Sequence, residues 1–353
     1  MTSKAAPAAP RRALNAGRPA SVHLPAAGTG AAAWLWLSVA TVALAAVGSA
    51  VALVATGRIY GGETILMQAV AQDLVNLSVV CPLILVLVVA ARRGSVAAYL
   101  CWLGALSFTA YNYAIYCFSL QFGPLFLLWV AVLGGSLYAL IGGLAVVDRA
   151  AVQARYGAAS ARLAGVFLLL VATLFILLWL ADIVPALLAG RKASSAVDIN
   201  LPTNPVHVLD LAFFLPVVFA AGVLLLRRNA WGYTLAPGLL VFLAFTSLPV
   251  LVTPIVADVR GDPVSWAVLV PITLILLSSL TVLMRLLRQV DRPTPGLDQP
   301  TEPVERQHQR ADRPAAAERQ AALYREWIAN DRQLRRLITE LRQAAKPPRG
   351  PSS

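Results

Sequence analysis

LAGVFLLLVATLFILLWLADIVPA, residues 163–186, carries a single charged residue, Asp182, and that near its end. As an α-helix, a run of this length spans more than the ~30 Å hydrocarbon core of a bilayer. Seven further runs share its character, at roughly 31–56, 72–91, 96–118, 125–147, 206–226, 233–256 and 265–287. The whole chain is 58% hydrophobic and 13% charged, against about a quarter charged in soluble domains. The expected fold is therefore an all-α polytopic bundle of about eight membrane helices, spanning residues 31–287. Residues 31–56 exceed the apolar core of a cleaved signal peptide and read as a first span that is retained.

The net charge of +12 does not point to nucleic acid. Of the 29 Lys and Arg, 14 lie beyond residue 284, and most of the rest flank apolar runs. With eight spans both termini share a side. The short loops on that side hold Arg92, Arg93, Arg149, Arg155, Arg162, Arg227 and Arg228, against Arg58, Arg191, Lys192 and Arg260 opposite. The positive-inside rule then places both termini in the cytoplasm of a plasma-membrane protein. Asp148 beside Arg149 reads as a cytoplasmic ion pair.

The flanks read differently. Residues 1–30 form a basic, Ala- and Pro-rich arm. Residues 288–314 are a linker, 315–344 an amphipathic cytoplasmic helix and 345–353 a tail. In the helix, Leu323, Trp327, Leu334, Leu337 and Leu341 follow a heptad-like stripe interrupted by Asn330. Its arginines also suit an anionic lipid surface. A cytoplasmic partner, self-association or the bilayer itself could engage it.

Polar residues inside the runs are the functional candidates. Asp73 begins the second run, and His207 and Asp210 lie one helical turn apart at the start of the sixth. Asn204 suits the N-cap of that helix and Pro205 its first position. Gln68, Gln72 and Asn76 recur every four residues, as do Asn112 and Tyr116 with Thr109 and Tyr113 close by. All these positions fall toward the outer ends of their helices. If the stripes face one another, they line an outward-facing polar cavity in which Asp73, Asn76, Asn112, Tyr113, Asn204, His207 and Asp210 bind a proton or small solute. A His207–Asp210 pair would then be the protonatable element. Interfacial capping is the plainer role open to the same carboxylates, Asp182 included.

Other patterns are structural. Gly135, Ala139 and Gly143 repeat at the four-residue spacing that lets helices approach closely. Cys81, Cys101 and Cys117 sit apart from one another and from any His. No phosphate loop, GxSxG or HExxH occurs in the sequence, so no cofactor or metal is expected and an enzyme is the less favoured class. A membrane-embedded enzyme using the same Asp and His residues, and an assembly or sensor protein acting through 315–344, stand as alternatives. No internal repeat stands out by eye. QDLVNL (72–77), YNYAIYCF (111–118), FGPLFLLWVAVLGGSLYALIG (122–142) and LPTNPVHVLDLAFFLPVV (201–218) together resemble a group of prokaryotic polytopic membrane proteins with no assigned activity. That resemblance implies a membrane bundle and picks out the same polar positions.

Overall fold

A computed structural model describes residues 29–60, 66–156, 161–262, 264, 266–288 and 290. The basic arm, most of the linker, and the helix expected over 315–344 lie outside the described residues. Eight long helices follow in chain order: α1 Thr29–Val54, α2 Leu66–Arg92, α3 Val96–Ser119, α4 Phe126–Ala145, α5 Arg162–Leu188, α6 Pro205–Leu226, α7 Ala230–Arg260 and α8 Leu269–Leu287. Strands are absent among the described residues. The architecture is that of a helical membrane bundle. Seven of the helices are long and apolar enough to cross a membrane.

The exception is α3, and its surroundings explain why. Of its 24 residues 18 are buried, so neighbouring helices rather than lipid set its composition. A helix enclosed by protein can carry Thr109, Asn112 and several tyrosines, provided their polar atoms find partners. Three connections are capped by side chains, at Asn204 as the sequence suggests and at two further positions. Ser95 accepts from the Ala98 N–H to start α3, Asn204 from the Val206 N–H to start α6, and Asn229 from the Trp231 N–H to start α7. Asp148 differs from expectation. Its carboxylate accepts from the Ala151 N–H and caps the short helix Arg149–Arg155, while Arg149 lies over the Trp231 ring at 4.3 Å.

Two helices contain a widened π turn, Asn76–Val80 in α2 and Asp210–Phe214 in α6. Each turn precedes a proline, Pro82 or Pro216. Proline has no N–H to donate, and its ring collides with the carbonyl four residues back. A wider turn relieves that collision without breaking the helix.

These matching turns reveal a duplication that the sequence does not show by eye. The separation from Asn76 to Asp210, from Pro82 to Pro216 and from Gly104 to Gly238 is 134 residues each time. The same interval joins the ends of α2 and α6, Arg92 and Leu226, and the starts of α3 and α7, Val96 and Ala230. It joins Gly94 and Arg228, which share a positive φ of 93° and 54°, and the N-caps Ser95 and Asn229. The fourth helices fit with a longer preceding loop, so that Ser136 in α4 answers to Ser279 in α8, both fully buried.

The contacts between α3 and α7 show how the halves are related. Gly104 lies against the backbone of Gly238, its own counterpart, and Phe108 meets its counterpart Phe242. Phe108 also packs on Phe245 at 5.5 Å, and Tyr111 on Phe242 at 5.2 Å, both nearly edge-on. Those last two contacts are the same contact seen from each half. Reciprocal pairing of this kind defines an isologous, two-fold interface. Here a pseudo-two-fold axis passes between α3 and α7.

The halves differ most at one seam. Helices α1 and α4 close on each other through small residues: a Cβ on Gly142 would fall inside the Trp34 ring, one on Gly135 would strike Thr41, and one on Gly48 would strike Leu128. Gly143, in the same stripe, instead receives Trp102 from α3. The equivalent pair, α5 and α8, touch only sparsely. Helix α8 has no glycine, and the single glycine of α5, Gly165, packs on Gly222 of α6.

Candidate functional site

The sparse α5–α8 seam borders a cavity of about 490 Å³. It lies among α2, α3, α5, α6, α7 and α8, at the end of the bundle where α6 begins. Its walls are mainly apolar, with Phe108, Phe175, Leu178, Leu243, Ile272 and Ile275 among them. This corrects the expected polar cavity. Gln68, Gln72, Asn112 and Tyr116 do reach it, but Asn76 and Thr109 do not. The Thr109 hydroxyl instead bonds back to the Ala105 carbonyl.

Among the described residues, Asp210 is the one carboxylate on the wall. Its side chain accepts from the Tyr111 hydroxyl at 2.9 Å and from the Trp179 indole N–H at 2.8 Å. Both donors are neutral, and among the described residues neither Lys nor Arg pairs with it. The π turn begins at Asp210 and sets the direction of this side chain. His207 sits one turn earlier and stacks against Trp179, with ring centroids 4.5 Å apart. His207 and Asp210 therefore share Trp179, and no hydrogen bond joins them. The expected His–Asp pair is two neighbours of one indole.

Asp73 belongs to a different place. It is 1% exposed and lies behind the cavity wall. The Tyr60 hydroxyl donates to it at 2.7 Å and the Tyr116 hydroxyl at 3.2 Å. Burial, with the Asp73 carboxylate beside it, pushes the Tyr60 pKa well above the usual phenol range, so this hydroxyl stays a donor. Asn76 accepts from Gln72 at 2.9 Å and donates to Ser49 at 3.3 Å. Tyr113 is buried, and its hydroxyl reaches the Ala45 carbonyl at 3.5 Å. These groups form a closed network that ties α1, α2 and α3 together. Replacing Tyr60 by Phe should cost about 1–3 kcal/mol, because a buried acceptor loses a donor. Thermal unfolding in detergent would measure it, and an unchanged melting temperature would show that the network adds no stability.

Asp182 proves to be a cap. Its oxygens accept from the N–H and hydroxyl groups of both Ser194 and Ser195 at the start of Ser194–Asp198.

Three buried polar atoms of α3 and α6 lack a partner among the described residues: Asn112 Nδ2, Ser119 Oγ and His207 Nε2. Asn112 and Ser119 line the cavity. Buried polar atoms are almost always bonded, so these two are available to whatever fills it. Asn204 also reaches the cavity while it caps α6. Among the described residues, no three His, Cys, Asp or Glu side chains converge as metal ligands would.

Two important residues escape the sequence reading. Trp179 looks like one more belt tryptophan, and Tyr60 lies outside every apolar run. The duplication supplies the missing signal for Trp179: its counterpart in the first half is Ala45, which cannot reach a carboxylate. No known family model, curated protein or solved structure compared with this chain matches it.

Proposed function

We propose that this is a plasma-membrane protein, with eight spans and both termini cytoplasmic, that binds and carries a small solute through an outward-facing site at Asp210. The observation that carries this reading is the cavity between the two halves. It combines an acceptor without a basic partner, Asp210, with two unpartnered polar groups, Asn112 and Ser119. Apolar cavities with a few convergent polar groups are the usual form of small-molecule sites. Carriers built from tandem repeats bind at the junction of the repeats. The solute would donate to Asp210, which suits an ammonium or a hydroxyl, and a hydroxyl would also accept from Asn112. Two arginine–aromatic contacts, Arg92 on Trp36 and Arg149 on Trp231, lie at the opposite end of the bundle and suit its assignment as the cytoplasmic face.

Thermal unfolding of the purified protein tests this with a panel of small amines and alcohols. A ligand at 100 times its Kd should stabilise the fold by about 2.7 kcal/mol. The shift should vanish in Asp210→Asn and persist in Asp182→Asn, whose carboxylate lies outside the cavity. A panel that shifts nothing, or a shift that survives in Asp210→Asn, would remove Asp210 from any such site.

A further inference from the structure

The duplication allows each seam to be judged against its counterpart. On one side of the pseudo-axis, glycines and an inserted indole shut α1 against α4. On the other, α5 and α8 meet sparsely, and both contribute to the cavity wall: Phe175, Leu178 and Trp179 from α5, Ile272 and Ile275 from α8. Leu178 lines the cavity and is 52% exposed, and Leu174, one turn away on the same face, is exposed without lining the cavity, so this face of α5 runs from the interior to the perimeter. A side chain that faces both the interior and the perimeter marks a mouth between two helices. That mouth is flanked by exposed Leu174 and Leu177 on α5 and Leu274 and Leu277 on α8, the kind of surface that faces hydrocarbon.

We infer that the α5–α8 seam is a lateral portal, and that the ligand is a single-chain amphiphile from the outer leaflet whose head donates a hydrogen bond to Asp210. This rests on the site proposed above and names its substrate class. The wall chemistry separates the two ends of the ligand. Ile, Leu and Phe side chains offer nothing to a polar body, so the bulk of the ligand is apolar. Few polar groups on the wall are left for a ligand, chiefly Asp210 and the unpartnered Asn112 and Ser119, so the head is small. An uncompensated carboxylate repels a carboxylate or phosphate head and favours an amine or hydroxyl. A solute arriving from the membrane also needs no wide polar vestibule.

Trp179 offers a direct probe, because it lines the cavity and bonds Asp210. The protein, in nanodiscs of unlabelled lipid, is titrated with a long-chain alkyl amine brominated along its chain. Bromine quenches an indole only near contact. A saturable quenching component is expected, and it should be absent from Trp179→Phe. Its affinity should fall at least tenfold in Asp210→Asn, which keeps the indole, and in Ile275→Phe, which narrows the seam. The same chain with a carboxylate head should leave the component at least tenfold weaker. Equal quenching in wild type and Trp179→Phe would show that the chain stays outside and overturn the portal. Equal binding of the carboxylate-headed chain would overturn the head assignment. If short soluble amines stabilise the fold through Asp210 but the brominated chain gives no saturable component, the site stands and the amphiphile falls. If neither probe depends on Asp210, both fall.

Discussion

Gly104→Ala should destabilise the protein more than any other single methyl added to it. A Cβ there would sit 2.1 Å from the Gly238 carbonyl oxygen and 2.5 Å from its Cα. These are backbone atoms of the facing helix, so no side chain can swing aside. Relief requires α3 and α7 to move apart across the pseudo-axis, which would also pull apart the Phe108–Phe242 contact. Overpacking typically costs 1–3 kcal/mol when side chains absorb it; here the expected loss is about 3 kcal/mol or more. Gly238→Ala is the matched control. Its added methyl would meet nothing closer than 3.1 Å, and a few tenths of an ångström would accommodate it. Thermal or denaturant unfolding in detergent should place Gly104→Ala well below Gly238→Ala. Equal effects would mean that the crossing is looser than described.

Trp102→Ala is expected to cost about 3–5 kcal/mol, the range for emptying a large buried aromatic site. The ring is fully buried and donates from its indole N–H to the Ser38 hydroxyl at 3.0 Å. It also fills the hollow over Gly143, where a Cβ would come within 2.7 Å of it. Trp102→Phe should recover part of the loss, because it restores volume without the donor. The second half shows how such a site is balanced. At the positions equivalent to Trp102 and Gly143 it has Ala236 and Leu286, so the larger residue has moved to the other helix. Trp102→Ala with Gly143→Leu therefore imitates the arrangement of the second half and should recover stability lost in the single variant. A double variant weaker than Trp102→Ala would show that the equivalent positions are not interchangeable.

Much of the bundle is legible in the sequence because lipid imposes a simple rule on helix surfaces. The apolar runs give the long helices to within several residues, and Asn204–Pro205 announces the start of α6. The start of α2 at Leu66 is missed, since Gln68, Gln72 and Asp73 make the first turns too polar to count as a span. Those turns are polar because they face protein. The same reason hides the duplication: buried positions in the two halves exchange large for small, as at Trp102 and Ala236, so identity is lost while spacing survives. Of the site, Asp210 and Asn112 are found from depth and periodicity. Their separation from Asp73 is not, because periodicity gives the face of a helix and not the helix that it meets. Tyr116 stands between the two carboxylates and decides which of them the cavity sees.

The pairing of Gly104 with Gly238 and of Phe108 with Phe242 bears on ancestry. A chain of half this length would have had to dimerise about that same contact, giving two identical copies of every α2 position. Whatever one copy carried at the sixth residue before its proline, the other carried too. Within a single polypeptide that constraint is absent. Asn76 and Asp210, Asp73 and His207, and Ala45 and Trp179 are free to differ, and of these six residues only Asp210 and Trp179, both of the second half, line the cavity. The symmetric residues mark what the shared frame requires, and the mismatched ones mark where the two halves surround the cavity differently.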